Sequence, residues 1–142
     1  MVDGLVSVIM PTYNCGKFIG ETIKSIQAQT YPNWEIVIVD DCSTDDTAGV
    51  VAEYQAADAR IKYTCLSENS GAAVARTRAM ELAEGEYMAF CDSDDLWMPE
   101  KLEKQLEFMH KNNCDFVFSE YEQIDEESNS LGVKVNVCSH LT

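Results

Sequence analysis

The sequence has no long hydrophobic run, no closely paired cysteines and little basic charge. None of its apolar stretches approaches the ~20 residues a membrane helix needs, and no N-terminal signal pattern is visible. The chain is therefore expected to be soluble and cytoplasmic, or held at the inner face of the membrane through a longer parent chain. Its six cysteines stand singly at 15, 42, 65, 91, 114 and 138 with no CxxC pair, which argues against a zinc-type site. Cys15, Cys42 and Cys91 each fall at a predicted strand end and are expected to lie near one another, as small half-buried turn residues rather than thiolate metal ligands. Lys plus Arg is 10 against 25 for Asp plus Glu, a formal net charge of −15. That disfavours nucleic acid or an anionic membrane as the main partner, since both need a basic face. The two histidines carry no signal: His110 falls late in a predicted helix as a surface residue, and His140 is near the chain end.

What is present is enough for one domain with a real core: 142 residues, 46% apolar. Strand-like and helix-like segments alternate, the pattern of a mostly parallel sheet covered by helices. Strands are predicted at Leu5–Met10, Trp34–Val39, Arg60–Cys65, Glu86–Cys91 and Cys114–Tyr121, with a possible edge strand at Leu131–Val137. Helices are predicted over Lys17–Gln29, Asp45–Ala57 with Ser43 or Thr44 as N-cap, Gly71–Ala83, and a last one opening at Pro99 with Leu102, Leu106 and Met109 as its buried stripe. Connections are short. Five acids and no base between Glu120 and Glu127 read as a solvated surface.

The stretch Tyr87–Asp95 (YMAFCDSDD) says most about chemistry. A buried strand ends abruptly in three carboxylates within four residues. Such crowding repels itself, so a positive partner is expected. Hard divalent cations take oxygen ligands, which points to Mn²⁺ or Mg²⁺ with a phosphate-bearing ligand. The alternative is a capped, solvated turn, with Asp95 as a helix-start acid. In a parallel α/β sheet ligands bind beyond the carboxyl ends of the strands. Pro11–Asn14, Asp40-Asp41, Ser67–Gly71 and Asp92–Asp95 all fall on that edge. Asp40 suits a structural role and Asp41 a ligand role. Of Arg76 and Arg78 only one can face inward, and Arg76 is the better placed. Tyr13 suits stacking on a planar base or ordinary packing; Trp97 suits a pocket wall or core filling.

Four motifs in order, Val6–Asn14 (VSVIMPTYN), Val39–Thr47 (VDDCSTDDT), Asn69-Ser70-Gly71 with Ala75-Arg76, and Asp92–Asp95 (DSDD), resemble the family 2 glycosyltransferases. The resemblance runs from about Leu5 to Leu131. It implies a GT-A fold, a Rossmann-like α/β domain with helices on both faces of a mostly parallel sheet. It also implies inverting transfer of a sugar from a nucleotide diphosphate, a UDP-sugar in most members, to a hydroxyl acceptor in glycan or polysaccharide assembly. By motif position Pro11 and Tyr13 would line the nucleoside, Asp41 the uracil or ribose side, and Arg76 the nucleotide. Asp92 would contact ribose or sugar, and Asp94 would hold Mn²⁺ or Mg²⁺ on the diphosphate. Thr12, Asn14, Gly71 and Ser93 complete the expected nucleotide-contacting set. Two departures stand out. Thr77 replaces a common Asn, and no residue matches the general base, which is expected beyond Thr142. Residues 1–142 thus read as a single donor-binding domain, truncated before the acceptor-binding half.

Two other classes remain beside this one. A non-catalytic nucleotide-sugar-binding module would keep the fold without transfer. A phospho-acceptor signalling domain would also place acids at a strand end, but its acidic pair should close the first strand and a lysine should follow the fifth.

Overall fold

The structure, a computed structural model, describes residues 1–135. The expectations for Cys138, His140 and the last two residues of the final strand lie outside these. The described residues form two compact units, Met1–Leu102 and a second that begins at Glu103.

The first unit alternates β1 (Val2–Thr12), α1 (Ile19–Gln27), β2 (Trp34–Asp40), α2 (Thr47–Ala57), β3 (Ile61–Cys65), α3 (Ala72–Leu82) and β4 (Gly85–Phe90). The strands form one sheet in the order β3-β2-β1-β4, every pair parallel. The chain winds outward from β1 to β3, then crosses back to set β4 on the far side of β1. Right-handed crossovers for this order put α1 and α2 on one face and α3 on the other. The packing agrees: α3 buries Ala75 and Ala79 against Ile9, Val37 and Val39, whereas α1 and α2 pack together. Alternation along the strands turns Val8, Met10, Ile36 and Ile38 to the opposite face, all fully buried. On α1, Ile19, Ile23 and Ile26 recur at helical spacing and are fully buried. Each such side chain contributes ~1.5–3 kcal/mol. β2 is buried along its whole length, as its unbroken apolar run requires of a central strand.

The amino end of this sheet holds a buried polar knot. Glu35 accepts from the Ser7 hydroxyl at 2.6 Å and the Glu84 N–H at 2.8 Å. Lys62 Nζ lies 2.7 Å from both Glu35 and Glu84. Burial works to raise the Glu35 carboxyl, but the bonds from Lys62, Ser7 and the Glu84 N–H outweigh it and hold the carboxyl below its ordinary value. Gly85 sits where β4 enters: a Cβ there would lie 2.5 Å from the Leu5 carbonyl oxygen and 2.7 Å from Ser7 Oγ.

Two local expectations are corrected. The α2 helix starts at Thr47, and neither Ser43 nor Thr44 caps it. Ser43 Oγ accepts the Asn14 N–H instead, and Asp45 accepts the Thr47 N–H. Likewise α4 (Lys101–Asn112) opens two residues after Pro99, its first N–H bonding to the Met98 carbonyl. Leu102 and Leu106 are buried as expected.

The second unit differs more from expectation. No strand forms over Cys114–Glu120, and among the described residues the parallel sheet ends at β4. The apolar residues that suggested one, Phe116 and Phe118, are exposed and meet each other with rings tilted by 51°. A short strand β5 (Tyr121–Ile124) instead pairs antiparallel with β6 (Ser130–Val135). Their turn is built on Asp125, which accepts the N–H groups of Glu127 and Asn129. Among the described residues no helix is long and apolar enough to cross a membrane.

Candidate nucleotide-sugar site

The carboxyl ends of β1, β2 and β4 and the start of α3 bring the predicted residues to one rim. Parallel strands end together, so short connections deliver their polar residues to the same edge.

From β1, the chain passes through Pro11 and Thr12, both buried within the strand, to Tyr13, which is 49% exposed. Strand pairing thus runs beyond the expected stop at Pro11, which lies opposite Val39. Asn14 follows in the left-handed region at φ 48°. Its Oδ1 accepts the Thr44 N–H at 2.8 Å and the Asp45 N–H at 3.3 Å. Asn14 therefore fastens the loop after β1 to the loop after β2.

From β2 come two buried carboxylates with separate duties. Asp40, 1% exposed, accepts the Ser43 N–H and the Tyr63 hydroxyl, at 2.8 and 2.6 Å. Burial, followed by that bond, pushes the Tyr63 hydroxyl well above its ordinary value. Asp41, 4% exposed, spends both oxygens on backbone: Ser70 N–H at 2.6 Å and Gly71 N–H at 2.9 Å. It clamps the turn that starts α3. Gly71 sits there at φ +96°, which favours glycine, and open space surrounds its missing Cβ.

From α3, the Arg76 guanidinium reaches to 3.9 Å from Asp92, while Arg78 pairs with Glu81 along the helix at 2.9 Å. From the end of β4, Asp92, Asp94 and Asp95 each offer a carboxylate oxygen within 4.8 Å of the others. Ser93 between them is buried. Its hydroxyl accepts from Thr12 at 3.0 Å, and its carbonyl accepts from Thr22 on α1 at 3.0 Å. Two neighbouring elements thus fix the backbone of the acidic turn.

Asp95 does not fit the alternative reading of a capped, solvated turn. The helix opens only at Lys101, so Asp95 is not a helix-start acid; its N–H closes a turn onto the Asp92 carbonyl and its carboxylate joins the cluster. Burial, then the charges of Asp92 and Asp94, raise the Asp95 carboxyl above its ordinary value. Burial likewise raises the Cys91 thiol behind the turn, with Asp95 and Asp92 adding to it. Lys101, missed in the sequence, lies behind the same turn, its ammonium 5.4 Å from the Trp97 ring centroid. Burial lowers its basicity, opposed by Cys91 and Asp95. Its signal was faint: a single base two residues after the proline. Trp97 is half-buried, its backbone N–H donating to Ser25 Oγ on α1. His110 is exposed in the last turn of α4.

The all-oxygen donor set at the acidic turn fits a hard divalent cation, and charge neutralisation there would relieve the mutual repulsion of the three carboxylates.

Sequence comparison bears directly on this rim, because the Glycosyl transferase family 2 profile matches residues 7–136. The chain belongs to glycosyltransferase family 2. Among its relatives is the UDP-Glc:alpha-D-GlcNAc-diphosphoundecaprenol beta-1,3-glucosyltransferase WfgD of Escherichia coli, 45% identical over 90% of this chain and 50% of its own length. The chain spans about half the length of WfgD, and 55% of another relative, the putative teichuronic acid biosynthesis glycosyltransferase TuaG of Bacillus subtilis. Among solved structures, S. aureus TarS in complex with UDP-GlcNAc superposes with a TM-score of 0.72 at 40% identity, over 76% of this chain and 32% of TarS. The mannosyltransferase PcManGT of Pyrobaculum calidifontis, in complex with GDP-Man and Mn²⁺, gives 0.67 at 33% identity, over 73% of this chain and 32% of PcManGT. The fold of the first unit is thus the GT-A fold of this family.

Proposed function

We propose that the chain is the donor-binding part of an inverting, metal-dependent glycosyltransferase that moves a sugar from a UDP-sugar to a hydroxyl acceptor in glycan or polysaccharide assembly. The observation that carries this is the acidic turn: three carboxylates within 4.8 Å of one another, on a backbone fastened by Thr12 and Thr22. The donors named for WfgD and TarS favour uridine, and the manganese of PcManGT favours a cation at the turn.

Asp94, with Asp92 beside it, would hold Mn²⁺ or Mg²⁺. When bound, that cation neutralises diphosphate oxygens and so makes the nucleotide a better leaving group. The chain's own residues do the rest. Arg76 stands at the mouth of the turn, where its guanidinium can meet a phosphate oxygen as well as Asp92. Tyr13 offers an exposed ring to the base. Asp41 serves by shape: by gripping Ser70 and Gly71 it fixes the start of α3, and with it Arg76. Thr12, Asn14 and Ser93 act the same way, tying the loops that flank the donor. Pro11 closes the floor from inside β1. The acceptor oxygen attacks the anomeric carbon from the side opposite the leaving diphosphate, which inverts the configuration. The base that takes the acceptor proton is not assigned to any of the residues at this rim.

Calorimetric titration of UDP into the chain tests the reading. Binding should require Mn²⁺ or Mg²⁺, and Asp94→Ala should weaken it at least about tenfold, ~1.4 kcal/mol. Metal-independent binding, or unchanged affinity in the variant, would sink it. Metal-dependent binding without sugar transfer by a chain carrying the remaining half would favour the non-catalytic module.

A further inference from the structure

Outside the donor site, the group of side chains that stands out is a pair of thiols. Cys42 follows Asp41 directly and sits in the left-handed region at φ 63°, unusual for a residue with a Cβ. Its Sγ turns back over the end of β3 and donates to the Leu66 carbonyl at 2.8 Å. Cys65, the last residue of β3, donates to the same oxygen at 3.4 Å. The two thiols also interact with each other. Cys65 is exposed and Cys42 half-buried. Two sulfurs converging on one carbonyl oxygen, one of them open to solvent, stand within reach of a disulfide that closes once residue 42 shifts toward β3. The sequence separates them by a helix, and the reading from strand ends grouped Cys42 with Cys15 and Cys91 instead.

We propose that Cys42 and Cys65 are a reversible oxidation site, and that closing their disulfide releases the Asp41 clamp on the turn that starts α3. The oxidant is hydrogen peroxide. The Cys65 sulfur attacks one peroxide oxygen and breaks the O–O bond; one water leaves and Cys65 becomes a sulfenic acid. The Cys42 sulfur then attacks Cys65 Sγ. An S–S bond forms, the S–O bond breaks, and the departing hydroxide takes the Cys42 proton as a second water. Two thiols are oxidised and one peroxide is reduced. Burial, then Cys65 and the carboxylates of Asp41 and Asp40, raise the Cys42 thiol above its ordinary value. Cys65 is accordingly the sulfur that meets the oxidant, and Cys42 the one that resolves it.

The consequence follows from chain position. Closure takes both thiol hydrogens off Leu66 and draws residue 42 toward β3. Its neighbours on either side carry the rim: Asp41 holds the Ser70 and Gly71 N–H groups, and Ser43 holds those loops through Asn14 and Asp40. Hydrogen bonds of 2.6 and 2.9 Å weaken steeply with displacement.

The test uses the full chain treated with hydrogen peroxide, with peptide mapping under non-reducing conditions and amide hydrogen exchange read at Ser70 and Gly71. Neither readout needs nucleotide, so failure of the donor-binding proposal leaves this one decidable. A Cys42–Cys65 cross-linked peptide is expected, with exchange at both amides at least about tenfold faster and restored by dithiothreitol. Cys65→Ser should abolish both changes, and Cys15→Ser should abolish neither. Recovery of Cys42 and Cys65 as separate thiols or sulfinic acids while other cysteines cross-link would overturn the proposal. So would the Cys42–Cys65 disulfide with unchanged exchange.

Discussion

The two ends of one sheet treat negative charge in opposite ways. At the amino end Glu35 is buried, and a hydroxyl, a backbone N–H and the Lys62 ammonium meet its two oxygens at 2.6–2.8 Å. At the carboxyl end Asp92, Asp94 and Asp95 crowd together, and the ion pair seen there is Arg76 to Asp92 at 3.9 Å. A satisfied acid in the core stabilises the fold, and removing it leaves partners unpaired. A cluster of acids in mutual repulsion, with Arg76 at Asp92 and Lys101 behind Asp95 as the positive charges described beside it, gains further when a cation arrives. Asp40 and Asp41 show that position on the rim does not decide the matter. They stand at the carboxyl end yet are satisfied as fully as Glu35, by Ser43, Tyr63, Ser70 and Gly71. What separates structural from ligand-holding acids here is the count of partners, not the place in the sheet.

That contrast can be broken by mutation. Glu35→Ala should cost the most stability, ~2–3 kcal/mol, because Lys62 and the Glu84 N–H lose their acceptor; urea denaturation reads it. Gly85→Ala should follow at about 2 kcal/mol, since its Cβ meets the Leu5 carbonyl at 2.5 Å and backbone must shift. Neither should alter metal-dependent UDP affinity in the folded molecules. A large affinity loss in either would show that the two ends are coupled. Asp41→Asn sharpens the contrast from the other side. Its amide must face one of two N–H donors, so a loss of ~1–2 kcal/mol is expected, with faster exchange at Ser70 or Gly71.

The smallest effect concerns acid. The bonds from Arg60 hold the Asp58 carboxyl down at about 2 against the penalty of burial. A lowered folded value means that the stabilisation is complete above the unfolded value, near ~4, and is lost as pH falls towards 2. Arg60 is partly exposed, so the contribution is below ~1 kcal/mol. Arg60→Ala should reduce the loss of unfolding free energy between pH 4 and 2 by that amount, read by urea denaturation at the two pH values.

Much of the first unit was legible because its signals are local. Unbroken apolar runs such as Ile36–Val39 require burial on both faces, and isoleucines at 19, 23 and 26 require a helix. The acidic turn was legible because charge crowding needs no tertiary information. The predicted fifth strand failed for the converse reason. Phe116, Val117 and Phe118 have the composition of a strand, but a strand exists only with a partner, and pairing is non-local. The capping of α2 was misread in the same way, since the Asn14 N–H, twenty-nine residues away, claims the Ser43 hydroxyl. Asp41 looked like a free carboxylate in sequence, because nothing in VDDCS shows that Ser70 and Gly71 return to it. Cys65 drew no notice for want of the same information.

Electron paramagnetic resonance of Mn²⁺, titrated with the chain in the presence of UDP, tests the central claim most directly. The free-manganese signal should fall to a one-to-one endpoint with wild-type protein, beyond the loss caused by UDP alone, and should persist with Asp94→Asn at unchanged fold stability. A signal that the wild-type chain leaves untouched, or that the variant removes equally well, would contradict the reading of the acidic turn as a cation site.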